Sequence, residues 1–288
     1  MKPLVLADVH KSIDSKVILN IKHLDIEPGS IHVFVGNNGS GKTTLFHLIA
    51  GMIRPDQGSV ERFSESIEEK WKHMLSYMPQ EVGPLSFFSL KELKRLEMIA
   101  YKGWDHNLFD RLVEDFELPL TKKVETFSVG MKKKAMTALA LSRPSKLLVM
   151  DEPLAGVDIS GQEQLKKEWI AYLEQDEQRT ILFSTHSTSE VGEMADYIHF
   201  LKNGELEGPY EKDQLTEQYA YMWVDATPEL ERLPGVLTTQ TTGKTAMLLS
   251  NNRLITEEAL IGQRVQIQQV QAVGMADILR VNLEQTRR

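Results

Sequence analysis

The sequence predicts an α/β sheet carrying an inserted helical subdomain, followed by a small α+β domain. Three observations carry this. Continuous apolar runs such as 147–150 and 180–183 have the pattern of strands buried on both faces of a parallel sheet, and they alternate with helical stretches. From about 82 to 141 that alternation gives way to Leu, Lys and Glu at helical spacing. After about Tyr210 the composition changes and short strands with a hairpin signal take over. The expected division is therefore 1–210, with its helical insertion at about 82–141, and 211–288.

Taken in order, residues 4–9, 17–26 and 31–35 read as strands, with a turn at Pro28-Gly29. A glycine-rich loop then opens an apolar helix at 43–50, which Gly51 stops. Beyond the helical insertion come the buried strand at 147–150 and a helix whose face is marked by Leu165, Trp169 and Leu173. Buried strands follow at 180–183 and 198–201. The tail reads as a strand (219–224), a short helix (228–233), a hairpin (236–239 and 246–249, turning at Gly243-Lys244), a short helix near 257–260, a strand (265–270) and a last helix (275–284). That β-α-β-β-α-β order predicts a ferredoxin-like domain.

The chain has 288 residues and a formal net charge of −8, so it has no general attraction for phosphate backbones and nucleic acid is not an expected partner. It has no cysteine, which excludes a disulfide framework and cysteine metal sites. The start, MKPLVLADVH, lacks a secretory apolar run, and no stretch approaches the ~20 apolar residues of a membrane span. The most apolar stretch, 135–141, is short. Any membrane part of the system is expected in another chain.

Two motifs carry chemistry. Gly36-Asn37-Asn38-Gly39-Ser40-Gly41-Lys42-Thr43 fits the phosphate-binding loop G-x-x-x-x-G-K-[ST], lying as it must between a strand and a helix. Its glycines let backbone N–H groups approach a β-phosphate, Lys42 can bridge β- and γ-phosphates, and the Thr43 hydroxyl can bind Mg²⁺. The strand 147–150 then ends in Asp151-Glu152, at the sheet edge where ligands sit. Asp151 can hold Mg²⁺ through water, and Glu152 can polarise an attacking water as general base.

With these two motifs in place, the order of further segments resembles the ABC ATPase family. Gln80 in Tyr77-Met78-Pro79-Gln80 falls at the family's glutamine loop, Phe127-Ser128-Val129-Gly130-Met131 at its L-S-G-G-Q signature, Ala155-Gly156-Val157-Asp158 at its dimer loop, and Ser184-Thr185-His186 at its switch histidine. The resemblance covers about 4–208. It implies a P-loop, RecA-like cassette that binds ATP and Mg²⁺, with Thr44 beside the phosphates, Gln80 sensing Mg²⁺ and His186 contacting the γ-phosphate. It also implies that Ser128, Gly130 and Met131 serve the nucleotide of a second cassette, identical or not, with Asp158 at the contact.

Two departures stand out. Val129 and Met131 replace a glycine and the glutamine of the signature, and the S-x-G-M form with Lys132-Lys133-Lys134 resembles exporters whose ATPase and permease are separate chains. The basic run itself reads as a solvated helix start. Where the family stacks an aromatic ring on adenine stands Ile13, with His10 the nearest flat ring. The tail, through Leu233-Pro234-Gly235-Val236 and the closing 274–279, resembles the accessory domain of such exporters. The expectation is an ATP-hydrolysing subunit at the cytoplasmic face of a membrane, driving a separate transmembrane permease through ATP-driven closure of a cassette dimer. Two alternatives stand beside it: an ABC-type ATPase outside transport, and an ATP-binding regulator with a degenerate site.

Overall fold

A computed structural model describes residues 1–64 and 69–284 of the chain, which divide into two compact units, 1–186 with 199–208, and 187–198 with 209–288. Residues 187–198 group with the second unit although they precede the division expected at 210. Residues 285–288 of the expected accessory domain lie outside the described residues.

Apart from residues 197–198 and 209–211, the first unit holds a six-stranded sheet in the order β5-β6-β7-β3-β8-β9: Leu75–Met78, Leu147–Asp151, Thr180–Thr185, Ile31–Val35, Tyr197–Lys202 and Glu205–Glu211. Its pairs β5/β6, β6/β7 and β3/β7 are parallel. The first two expected strands do not join it. They form, with one that the sequence pattern did not show, a separate antiparallel sheet of order β2-β1-β4: Lys16–Ile26, Leu4–Ile13 and Gln57–Arg62. Helix α1 (Lys42–Ile49) shares its core with both sheets: Leu45, Phe46 and Leu48 pack with Leu6, Leu19 and Ile21 on one side and Phe34, Leu147 and Val149 on the other. Exposed Thr43 and half-buried Thr44 and His47 form the one polar face that this helix keeps out of that core. Arg62 closes its far end, donating from Nε to the Ile49 carbonyl at 2.6 Å and from a terminal nitrogen to that of Leu48, with its guanidinium over the Trp71 ring.

The insertion holds α2 (Leu90–Ala100), α3 (His106–Asp115) and α4 (Val129–Leu141). Ser89 and Glu92 form a reciprocal capping box on α2, and Asp105 caps α3. Residues 135–141 are all buried in α4, so the most apolar stretch of the sequence is a core helix. No helix among the described residues is long and apolar enough to cross a membrane.

Strands β3 and β8 are joined by two buried imidazoles. His32 Nδ1 lies 3.0 Å from His199 Nε2, His32 Nε2 lies 2.9 Å from Ser30 Oγ, and Ser30 donates to the Glu27 carbonyl. With Ser30 donating onward, His32 donates from Nε2 to Ser30 and accepts at Nδ1 from His199 Nε2, so both rings are neutral, while His199 Nδ1 has no hydrogen-bond partner among the described residues. His199 also stacks on Phe34 at 4.5 Å. Burial pushes His32 down to about 4 and His199 well below the ordinary histidine value.

The second unit holds an antiparallel sheet of order β11-β12-β10-β13: Val236–Thr242, Thr245–Ser250, Ala220–Asp225 and Ile267–Ala272. That order is the split β-α-β arrangement, with one correction. The helix expected at 228–233 is only a 3-10 turn, Leu230–Arg232, because Pro228 and Pro234 leave too few residues for a stable α-helical turn. Ala220, Met222, Val224, Ala246 and Leu248 form its core with Leu260 of the helix Arg253–Gly262.

Candidate nucleotide-binding site

Strands β3, β6 and β7 end at one level, and the register pairs Val35 with Thr185 and Asp151 with Ser184. The phosphate loop leaves β3 there and enters α1 through Gly41, whose φ is 108°. A β-carbon at Gly41 would come within 2.8 Å of the Leu19 side chain, so only glycine passes. Lys42 is buried, and its ammonium donates to the loop's own carbonyls, Gly36 at 2.7 Å and Asn37 at 3.3 Å. Burial lowers its pKa, against the pull of Glu152 and Asp151.

Thr43 donates its hydroxyl to Asp151 Oδ2 at 2.7 Å, and Ser184 donates to Asp151 Oδ1 at 2.5 Å. Ser184 Oγ accepts the Glu152 N–H at 3.0 Å. Glu152 itself is left-handed, φ 45°, which turns the chain sharply out of β6. Its carboxylate lies 3.3 Å from Nδ1 of His186, a ring that is 65% exposed and can swing toward an incoming group. One continuous network thus runs Thr43, Asp151, Ser184, Glu152, His186. The sequence singled out four of its members for roles there and passed over Ser184, which it quoted only as the residue two before the histidine. Its place depends on β7 lying beside β6 in the register that sets Ser184 opposite Asp151.

Asn38, Gly39, Gly41, Lys42, Thr43, Thr44, Gln80, Glu152 and His186 line one cleft of about 460 Å³ together with Ile18. Ile13 is not brought into that wall. It sits at the hairpin end of β1 opposite Lys16, while Lys11 and Ser12 are tied to Asp56. Ile18, on β2, is the apolar side chain at the phosphate loop. A turn at Asp14-Ser15 follows Ile13 and joins β1 to β2.

The signature residues Ser128, Gly130 and Met131 are not among those lining this cleft. Ser128 caps α4, its hydroxyl accepting the Met131 N–H at 3.2 Å, so its proton is left to donate outward. Ser128 and Val129 are exposed. Val129 covers Gly156, where a β-carbon would meet its Cγ1 at 2.8 Å, and Gly130 faces Val157. Asp158 caps helix α5 (Ile159–Glu174), accepting the Gly161 N–H at 2.8 Å. The basic run is not a solvated face: Lys133 is 5% exposed and donates to the Gln80 carbonyl at 2.8 Å, while Lys134 donates to Gln164 at 2.6 Å.

The donor set suits a nucleoside triphosphate. Ser40 Oγ is buried in the loop with no hydrogen-bond partner among the described residues, and Lys42 occupies its ammonium with loop carbonyls that a phosphate would outbid. Thr43 and Asp151 offer only hard oxygen, the ligand type Mg²⁺ takes alongside phosphate and water.

Phosphate loop, paired acids and sheet together define a P-loop nucleoside triphosphatase. Residues 19–155 match the ABC transporter family model. The ABC transporter ATP-binding protein YtrB of Bacillus subtilis is 30% identical over 217 residues, 74% of this chain and 74% of that protein. The zinc import ATP-binding protein ZnuC of Pseudomonas fluorescens is 35% identical over 148 residues, 51% of this chain and 54% of that protein. A solved ATP-binding subunit of an ABC transporter overlays with a TM-score of 0.67 at 24% identity, covering 75% of this chain and 92% of that one. A dimeric ATP-binding cassette in a post-hydrolysis state with ADP and Pi overlays at 0.63 and 21% identity, covering 72% and 98%. This chain belongs to the ATP-binding proteins of ABC transporters, a family of ATPases that bind nucleotide, dimerise and work with membrane permease components.

Proposed function

We propose that this chain is the motor of an exporter, a peripheral subunit at the cytoplasmic face of the membrane that drives a separate transmembrane permease. The observation that carries the catalytic part is the network Thr43, Asp151, Ser184, Glu152, His186 at the mouth of the phosphate loop. Glu152 accepts the proton of the attacking water, and its sharp backbone turn points the carboxylate at the cleft rather than along the strand. His186 moves from Glu152 to the γ-phosphate. Lys42 exchanges its loop carbonyls for β- and γ-oxygens, and the N–H groups of the glycine loop, with the α1 N-terminus, take the remaining negative charge. Thr43, Asp151 and Gln80 hold Mg²⁺, which neutralises charge on the phosphates when bound. The base rests against Ile18.

The other face of the same cassette supplies Ser128 Oγ and the Gly130 N–H to a second cassette, and Val129 and Met131 leave both donors in place. Export is supported by the S-x-G-M signature. The reading predicts that Glu152→Gln lowers ATP turnover by about 10²–10⁴ while nucleotide still binds and dimers accumulate. Steady-state ATPase rates and sedimentation with ATP measure both, and near-normal turnover in the variant removes Glu152 as the base.

A further inference from the structure

We propose that Lys133 is a positioning residue for hydrolysis, a latch that holds the glutamine loop of its own chain against the first turns of α4. The proposal rests on the reading of Gln80 as a Mg²⁺-side residue given above. Three lysines in a row predict solvated charges, yet the middle one is 5% exposed. Its ammonium donates to the Gln80 carbonyl at 2.8 Å. Taking an ammonium out of water costs several kcal/mol, so such a group is poor packing material and is retained only where its charge and donors are used. The surroundings show the use. Burial lowers the pKa of Lys133, and Asp151, Glu152 and Glu81 counter part of that by favouring the charged form.

The geometry gives the latch a definite job. Gln80 follows β5 and is exposed, so its side chain has few packing contacts to fix it. It reaches the phosphate cleft beside Glu152 and His186. On the other side, a second cleft of about 500 Å³ lies between residues 79–83 and the start of α4, with Lys132, Lys133 and Met136 in its wall. A loop with a cavity behind it needs a tether, and Lys133 is the side chain that crosses from α4 to its backbone. The same helix carries Ser128 at its cap. A displacement of the glutamine loop therefore pulls on the helix that serves the partner's nucleotide, and the two ends of the cassette report to each other through one hydrogen bond. Because the acceptor is a backbone carbonyl, no side chain at position 80 substitutes for the donor.

The test uses the purified full chain, with Lys133→Met (same reach, no donor, no charge) and Lys133→Arg (donor and charge restored). Steady-state ATPase is measured against ATP and against Mg²⁺, with nucleotide affinity from a fluorescent ATP analogue. Lys133→Met should lower kcat about tenfold, leave KM for ATP within about twofold, and raise the Mg²⁺ concentration for half-maximal rate several-fold. Lys133→Arg should recover most of the loss. A Lys133→Met rate within twofold of wild type overturns the proposal. So does an equal loss in both variants with a lowered melting temperature, which is the signature of packing alone. Should Lys133→Met not fold, Lys133→Gln takes its place. If neither neutral variant folds while Lys133→Arg does, the charge serves folding and the latch is refuted. Glu152→Gln is run alongside: if it retains turnover, the fault lies in the reading of the site and not in the latch.

Discussion

The two ends of this cassette are finished to different degrees. At the phosphate end each polar side chain of the network has a partner in the same chain: Thr43 and Ser184 fix both oxygens of Asp151, and Ser184 holds the Glu152 backbone. At the signature end, Ser128 and Val129 stand exposed and the hydroxyl of Ser128 serves only its own helix cap. A preorganised catalytic group loses little on binding its substrate, whereas a lone donor on a helix cap binds a phosphate weakly on its own. The difference teaches that one chain holds a complete set of reacting groups and an incomplete enclosure. On the function proposed above, the other half of the enclosure comes from the signature end of a second cassette.

The largest expected effect concerns what lies under the phosphate end. The β3–β8 pair is cemented by His32 and His199, both neutral. Their folded values lie below the ordinary ~6.5, so they contribute stability above that pH and lose it as pH falls from about 6.5 toward 4. For His32 alone the drop to about 4 amounts to about 3 kcal/mol, since one pKa unit is worth about 1.4 kcal/mol. Urea unfolding at pH 7.5 and 4.5 should show that loss in the wild type and a smaller one in a His32→Leu/His199→Leu variant. Equal losses would detach the imidazole pair from acid sensitivity.

A smaller effect sharpens the same contrast. Ser184→Ala removes the donor to Asp151 and the acceptor for the Glu152 N–H without touching any ligand-facing oxygen. It should lower kcat about tenfold with little change in KM, because it loosens a group that acts in the transition state. A variant with unchanged kcat would mean that Asp151 and Glu152 are held by the backbone alone.

How much of this was legible in the sequence depended on whether partners were near neighbours in the chain. The phosphate loop and Asp151-Glu152 could be read directly, since loop, strand end and helix start are contiguous and each residue type has one chemical use there. Ser184 and Lys133 could not. Ser184 matters only because β7 lies beside β6, and Lys133 looked solvated because its two neighbours are charged too. Ile13 is a different case: it was placed by a count along the chain, and Ile18 rather than Ile13 lines the cleft. In the tail the strand order could be read from alternation, whereas the helix expected at 228–233 was lost to the two prolines that bound it.

The central claim, that a working site takes its phosphate loop from one chain and its signature from another, is tested most directly by mixing two dead variants. Lys42→Ala disables the phosphate loop and Ser128→Arg blocks the signature, so each homodimer has two broken sites. In a mixed dimer one site joins the intact loop of one chain to the intact signature of the other, and the second site has neither. If subunits exchange and one site can turn over, a 1:1 mixture should regain up to about a quarter of wild-type ATPase activity, half the dimers being mixed with one good site in two. A mixture no more active than its components, or a Ser128→Arg chain that hydrolyses ATP at the wild-type rate as a monomer, would contradict the account.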